Sequence, residues 1–212
     1  GGIYARDSDL RLMNNTIMNN SAYSAGGGIF CHDSSPAITN NTIMYNNAGG
    51  GGGIHCYDSN PTLTNNTIAY NNAFEGGGIY CDNSSPSFDS ENRCNIYLNH
   101  ATVGRDLYTL QMMEVIVDTF TVMNPTDAQA YPIENYSFDI LDGRVTPINA
   151  DLYVSPDGDD ANSGLSPDDP LRTIHFALTV ILANSLNPHT IYLADGIYSS
   201  DNNGEFFPIS PM

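Results

Sequence analysis

An internal repeat constrains this chain more than any other feature. The segment GGIY at Ile3 recurs as GGGIFC at Ile29, GGGIHC at Ile54 and GGGIYC at Ile79, at spacings of 26, 25 and 25 residues. Three further columns keep the same phase. They are Cys31, Cys56 and Cys81; Pro36, Pro61 and Pro86; and the NNTI blocks ending at Ile17, Ile43 and Ile68. A fourth coil, SFDSENRCNIYLNHA, carries three extra residues before Ile96. The distance from Ile79 to Leu107 is accordingly 28 residues, so GRDLY opens a fifth coil. Phase held this long identifies a repeat architecture.

The period inside each repeat selects the kind of repeat. GGGIYCDN alternates inward Ile and Cys with outward Tyr and Asp, the two-residue period of a strand. PTLTNN and TIAYNN do the same, with Leu63 and Ile68 inward. Three short strands, separated by SSP, Asn and Gly-rich corners, leave no room for the helices of the common helical repeats or for leucine-rich spacing. Each repeat is therefore a triangular coil, and successive coils stack as parallel strands about 4.8 Å apart. Stacked Ile, Leu and Cys fill the interior, each coil burying the face of its neighbour. Asn15, Asn41 and Asn66 mark a tight corner, where Asn tolerates a left-handed backbone and its amide can bond the next Asn in the stack. Cys94 interrupts that column beside the insertion, and a bulge is expected there. The run Gly49 to Gly53 permits the turn into the next strand.

Charge and composition split the chain. Residues 1–103 hold 13 of the 19 Gly and a net charge of -5; residues 104–212 hold nine of the 12 Pro and a net charge of -13. The whole chain has 24 carboxylates against six Arg and no Lys, a net charge of -18. Nucleic acid is excluded as a partner, because binding needs a cationic surface. No apolar run approaches the roughly 20 residues of a membrane-spanning helix, so no direct membrane insertion is expected. The expected organisation is β-helix repeats over 1–108, a final irregular coil and linker over 109–150, and a further unit over 151–212. In that last unit LYV and TIYLADGIYS read as strands. A helix over 170–184 is expected between them, with Asp169 as its cap, Pro170 at its first position and an apolar stripe through Leu171, Ile174, Ala177, Leu178 and Ile181.

Residues 1–108 resemble the all-β, right-handed parallel β-helix solenoid of the pectin-lyase-like fold. Their GGGIYC…NNTI…NNA pattern is most similar to the repeats of the polymorphic outer-membrane protein family, which pair a Gly block with an apolar-x-x-Asn block. Leu12/Asn15, Ile38/Asn41 and Leu63/Asn66 match the second block. Tyr153 to Gly158, Asn162 to Gly164, Ser166 to Pro170, Thr173-Ile174 and IYLADGIY resemble the leading domain of unknown function of many secreted right-handed β-helix proteins. There the helix caps the open end of the first coil, which implies a truncated strand–helix–strand cap of a second β-helix here. The resemblance implies export to the cell surface or the extracellular space of a bacterium. The same fold serves adhesins, lyases, hydrolases, epimerases and inert stalks, so fold alone does not choose among them.

The candidate chemistry lies on the outward face of the GGGIYC strand. One column runs Tyr4, Phe30, His55, Tyr80 and Tyr108; beside it run Arg6, His32, Tyr57 and Asp82. Tyr4, Phe30, His55, Tyr80, Tyr108, His32 and Tyr57 are the candidate contacts for a polysaccharide or a host or cell-surface glycan. The alternative is an aromatic ladder that stabilises the sheet itself. No catalytic, cofactor-binding or metal residue is assigned. Lys-base lyase chemistry is excluded by the absence of Lys, and Asp82 alone cannot supply the carboxylate pair of a hydrolase. His32 and His55 lie on adjacent coils but have no orienting carboxylate in the sequence pattern. Calcium is the one metal for which the sequence leaves room, at Asp7, Asp33 and Asp58 or in the loop from Asp157 to Gly164. Both also read as turn chemistry. The four Cys are expected to be buried free thiols, since parallel neighbours approach poorly for a disulfide. The first expectation is an adhesin-like or glycan-binding structural module; the alternative is a polysaccharide lyase or epimerase whose catalytic coils lie outside these residues.

Overall fold

The computed structural model describes residues 1–182 and 186–205. They form two compact units, Gly1–Arg144 and Val145–Met212.

The first unit is a right-handed parallel β-helix. One sheet stacks Ile3–Arg6, Ile29–His32, Ile54–Tyr57, Ile79–Asp82, Leu107–Thr109 and Ala130–Tyr131. A second stacks Arg11–Met13, Ala37–Thr39, Thr62–Thr64 and Ser87–Phe88. A third stacks Thr16–Met18, Thr42–Met44, Thr67–Ala69, Cys94–Tyr97, Met113–Phe120 and Tyr136–Gly143. Every regular element between residues 26 and 101 is a strand. Ile3, Ile29, Ile54, Ile79 and Leu107 pair in register, and the last four are buried. Cys31, Cys56 and Cys81 form the neighbouring inward column, and all four Cys are free and buried. A hydrogen bond to Cys56, then burial, push the Cys31 thiol far above its ordinary value, so these thiols behave as small apolar groups.

The corners are built by left-handed residues. Asp7, Asp33, Asp58 and Asn83 share one corner at φ of 47° to 49°, and Asn14, Asn40 and Asn65 share the next. This corrects the expected role of the Asn pairs. The first Asn of each pair takes the left-handed backbone. The second turns inward, and its N–H and Nδ2 both donate to Oδ1 of the next Asn: Asn15 to Asn41 at 2.9 and 3.0 Å, and Asn41 to Asn66 at 2.9 and 3.1 Å. Cys94 takes the next position, where Asn66 donates to its Sγ from N at 3.4 Å and from Nδ2 at 3.7 Å. The register slips between Cys94 and Asn95, the expected bulge.

A second Asn ladder runs through Asn20, Asn46, Asn71 and Asn99 with the same two-donor geometry. It needs glycine beside it. A Cβ at Gly53 would sit 3.0 Å from Asn71 Nδ2, and one at Gly78 would sit 2.9 Å from Asn99 Nδ2. The next coil has Asp106 in the glycine position, and its Oδ1 takes the Asn99 N–H at 3.2 Å and Nδ2 at 3.0 Å. The carboxylate thus terminates the ladder where the asparagines run out.

Beyond Tyr108 the ladder of strands continues. Met113–Phe120 pairs with Tyr136–Gly143, and Tyr131 pairs with Tyr108. Residues 124–143, read from composition as lead-out and linker, thus contain strands of the solenoid. Their inward Tyr136, Phe138 and Ile140 pack on the main core, which needs only the two-residue alternation. Arg93 ties these coils together: Nη2 meets Asp139 Oδ2 at 2.7 Å, and Nη1 donates to the Val117 and Asp139 carbonyls at 3.2 Å each.

In the second unit Leu152–Val154 pairs in parallel with Ile191–Leu193. Leu152, Val154, Leu171, Ala177 and Val180 form its core. The helix is shorter than expected, Ile174–Val180, and Thr173 rather than Asp169 is its N-cap, accepting from Phe176 N at 3.0 Å. Asp169 is instead held by Ser163, through N at 3.0 Å and Oγ at 2.6 Å. Leu171 is extended, donating to the Tyr153 carbonyl at 2.9 Å and accepting from Ser155 N at 2.8 Å. Those strand-like bonds exclude a helix start at Pro170. Residues 183 and 184 of the expected helix lie outside the described residues.

Candidate functional site

Strand pairing in the first sheet stacks Tyr4, Phe30, His55, Tyr80, Tyr108 and Tyr131 into one outward column. Centroid separations are 5.2, 4.9, 4.6, 4.8 and 5.9 Å in that order. All are stacked except Phe30–His55, which is edge-on at 77°. Five of the six rings were legible in the repeat. Tyr131 was not, because its coil has lost the Gly block. Rings stacked along the solenoid axis cover one another's faces and turn their edges and hydroxyls outward. Tyr4, at the end of the column, is 56% exposed, whereas His55 in the middle is buried.

The parallel column runs Arg6, His32, Tyr57 and Asp82, in register. His32 Nδ1 lies 3.1 Å from the Tyr4 hydroxyl and Nε2 lies 3.2 Å from Asp33 Oδ2. His55 Nδ1 lies 3.1 Å from the Gly50 carbonyl. Burial lowers the His55 imidazole below its ordinary value, against smaller opposing effects of Gly50 and Asp82. Burial and the nearby Glu75 push the Tyr80 phenol up to about 12. Asp33 thus supplies His32 with the carboxylate partner that the sequence pattern did not show, because it is the next residue at the left-handed corner, whereas His55 has only the Gly50 carbonyl and is a neutral ring in a stack. Arg6 pairs with Asp7 at 3.4 Å, three coils from Asp82.

Neither of the two acidic segments gathers its carboxylates around one point. Among the described residues no group of three or more His, Cys, Asp or Glu could hold a metal ion. Asp7, Asp33 and Asp58 serve as left-handed corner residues. In the loop from Asp157 to Gly164, Asp159 Oδ1 accepts from Ala161 N at 3.0 Å. Asp160 accepts from Arg172 N and from Thr173 N and Oγ1, all at 2.9 Å. The Asp159 and Asp160 carboxylates are occupied in holding turns, and those of Asp7 and Asp33 pair with Arg6 and His32.

With this geometry in view, the family assignment follows. The family model described as the right handed beta helix region matches residues 1–114. The chain belongs to this β-helix family. No curated protein and no solved structure matches it significantly. No helix among the described residues is long and apolar enough to cross a membrane.

Two groups in the β-helix respond to pH, the buried Asp106 and the half-buried His100. Burial raises the Asp106 carboxyl to about 6, with Thr121, Asn99 and Arg105 opposing. Its Oδ2 is buried without a hydrogen-bond partner of good geometry, although the Thr121 hydroxyl is near enough to favour the charged form. A carboxyl raised in the folded state makes stability fall as pH rises from about 4 to about 6. Burial, then Arg105, lower His100 to about 4, and a lowered histidine makes stability fall as pH drops below about 6.5. The two slopes oppose each other in the same window. Asp106→Asn keeps an oxygen for Asn99 and removes the charge. It should raise stability at pH 7 by on the order of 2 kcal/mol and leave the difference near zero at pH 4. Chemical denaturation at the two pH values checks this; equal shifts at both would contradict it.

Proposed function

We propose that this chain is a rigid, non-catalytic β-helix module of an exported bacterial surface protein, adhesin-like in role, which presents the ring sheet to a neutral glycan. The observation that carries the reading is the unbroken six-ring column. Its faces are occupied by one another, and the two candidate acid–base histidines are held by Tyr4, Asp33 and the Gly50 carbonyl. What remains for a ligand is a row of ring edges and hydroxyls at strand spacing, suited to lying along an extended chain. A lyase or hydrolase needs at least two correctly spaced ionisable groups and charge neutralisation at the scissile sugar. Arg6 and Asp82 are three coils apart, about 14 Å at one strand spacing per coil. The net charge of -18 repels polyuronates, which leaves neutral glycans as the ligand class. Surface display is supported by the likeness of the repeats to those of the polymorphic outer-membrane proteins. The likeness of residues 151–212 to the leading domain of secreted β-helix proteins supports export as well.

The test is incubation with pectic, alginate and neutral polysaccharides, with and without calcium, following unsaturated products and new reducing ends. No turnover is expected, and binding should favour neutral glycans and weaken in Tyr80→Ala. Product release abolished by His55→Ala would overturn the reading in favour of a polysaccharide lyase or epimerase.

A further inference from the structure

The turn from the third sheet back to the ring sheet carries two rings that the fold does not use. Register fixes their places: Ser21, Asn47 and Asn72 pair in parallel, as do Ala25, Gly50 and Glu75. Between those two rows, successive coils carry Tyr23, Gly49, Phe74 and Thr102. Tyr23 is fully exposed and Phe74 is 59% exposed, and neither stacks on another ring among the described residues. A ladder that stabilises its sheet needs rings on adjacent coils; here a glycine stands between them. The stacked column of the ring sheet covers its own faces, whereas these two rings keep theirs open, as stacking on a ligand requires.

The gap between the two rings is held open by the packing of the coils. Gly49 cannot take a side chain, because a Cβ there would stand 2.7 Å from the Ser24 carbonyl oxygen. The coils on either side are fixed by backbone pairing: Phe74 N–H donates to the Gly49 carbonyl at 2.9 Å, and Gly50 N–H donates to the Ser24 carbonyl at 2.8 Å. Two coils separate the rings by about 9.6 Å at one strand spacing per coil. A flat ring held by two carbon contacts fills only about 7–8 Å, whereas a puckered sugar ring is thicker by its axial hydrogens. An acceptor for sugar hydroxyls stands beside the gap. A Cβ at Gly50 would meet His55 Nδ1 at 3.4 Å and Tyr80 Cδ2 at 3.6 Å, so the row of Ala25, Gly50 and Glu75 borders the ring column. Glu75 acts on both the Tyr80 and the Tyr108 phenols, and its carboxylate has no hydrogen-bond partner among the described residues. We propose that Tyr23 and Phe74 clasp one sugar ring of a neutral glycan across Gly49, with the Glu75 carboxylate accepting from its hydroxyls. This site rests on the glycan reading of the ring sheet and supplies the open ring faces that the stacked column lacks.

The test is calorimetric titration of the intact chain with neutral hexasaccharides of glucose, mannose and xylose. Tyr23→Ser and Phe74→Ser remove exposed rings and should leave the melting temperature nearly unchanged. Each should weaken binding of the hexasaccharide that binds by about three- to tenfold, and Glu75→Ala should weaken it about threefold. Undiminished binding in any one of these three variants would overturn the site, since a clasp needs both walls and its acceptor. If binding is nonetheless lost in Tyr80→Ala, the ring-sheet reading stands without it. No binding of any hexasaccharide by the wild type would overturn the glycan reading itself, and this site with it.

Discussion

Gly52→Ala is expected to destabilise the β-helix by at least about 4 kcal/mol, placing it among the exceptional single substitutions. A Cβ at Gly52 would stand 2.4 Å from the Asn72 carbonyl oxygen and 2.7 Å from that of Gly77. Both are backbone atoms of the next coil, so no side-chain rotation relieves the clash. The equivalent positions repeat it: Gly27 would meet Gly52 O at 2.5 Å, and Gly77 would meet His100 O at 2.3 Å. The coils cannot separate to make room, because Gly27 N–H donates to Gly51 O at 3.1 Å and Gly53 N–H to Gly77 O at 3.0 Å. The control lies two residues away in the same glycine run. A Cβ at Gly50 would meet His55 Nδ1 at 3.4 Å, an ordinary contact, so Gly50→Ala should cost no more than about 1 kcal/mol. Equal denaturation midpoints for the two variants would show that coil spacing is not what the glycine column protects.

Asn71→Ala should cost about 3–5 kcal/mol, because it strands several buried polar groups at once. Asn71 Oδ1 accepts from Asn46 N and Nδ2, both at 3.0 Å, and its Nδ2 donates to the Ile43 carbonyl at 2.9 Å and to Asn99 Oδ1 at 3.0 Å. Alanine removes every one of these bonds within a column that water does not reach. Asn65 gives the contrast. It holds a left-handed corner at φ of 49° and is exposed, with its Nδ2 on Asn40 Oδ1 at 3.0 Å. Asn65→Gly preserves the backbone preference and should change stability by no more than about 0.5 kcal/mol. Urea denaturation of the two variants separates an inward ladder from a corner residue; similar losses in both would contradict that division.

What the sequence made legible follows from where its columns stay in phase. Ile29, Ile54 and Ile79 recur at 25 residues, so their inward register and the free Cys column beside them could be read directly. Cys94 breaking the Asn column beside an insertion was enough to place the bulge. The two members of each Asn pair could not be told apart, since both are Asn and only the backbone separates corner from ladder. The second ladder was visible in principle, because Asn46, Asn71 and Asn99 keep the repeat's phase, and Asp106 stands where a glycine belongs. Tyr131 and the strand Tyr136–Gly143 were hidden because their coil has neither Gly block nor Asn pair, leaving only alternation to mark them. The helix start was misplaced for a different reason. Asp169-Pro170 carries a local start signal, but the helix N-terminus is set by distant groups: Asp160 on Thr173, and Glu205 accepting from Ile174 N at 2.7 Å and His175 N at 3.1 Å. On the ring sheet the residues were legible, and their use was not, because ring faces turned toward one another or toward solvent give the same sequence.

His55 carries the difference between a stabilising column and a working site, and His55→Phe tests it most directly. Phenylalanine already holds the adjacent position at Phe30, and the Gly50 carbonyl keeps the Gly26 N–H at 3.0 Å once the imidazole is gone. Since burial lowers His55 in the folded state, wild-type stability is lost as pH falls below about 6.5, and the variant lacks that contribution. Melting of both proteins should be measured at pH 7 and pH 5, together with product release from the polysaccharide panel. The account predicts similar stability at pH 7, a relative gain for His55→Phe at pH 5, and no release by either protein. Turnover by the wild type that disappears in His55→Phe would contradict it, as would a collapse of the variant at both pH values.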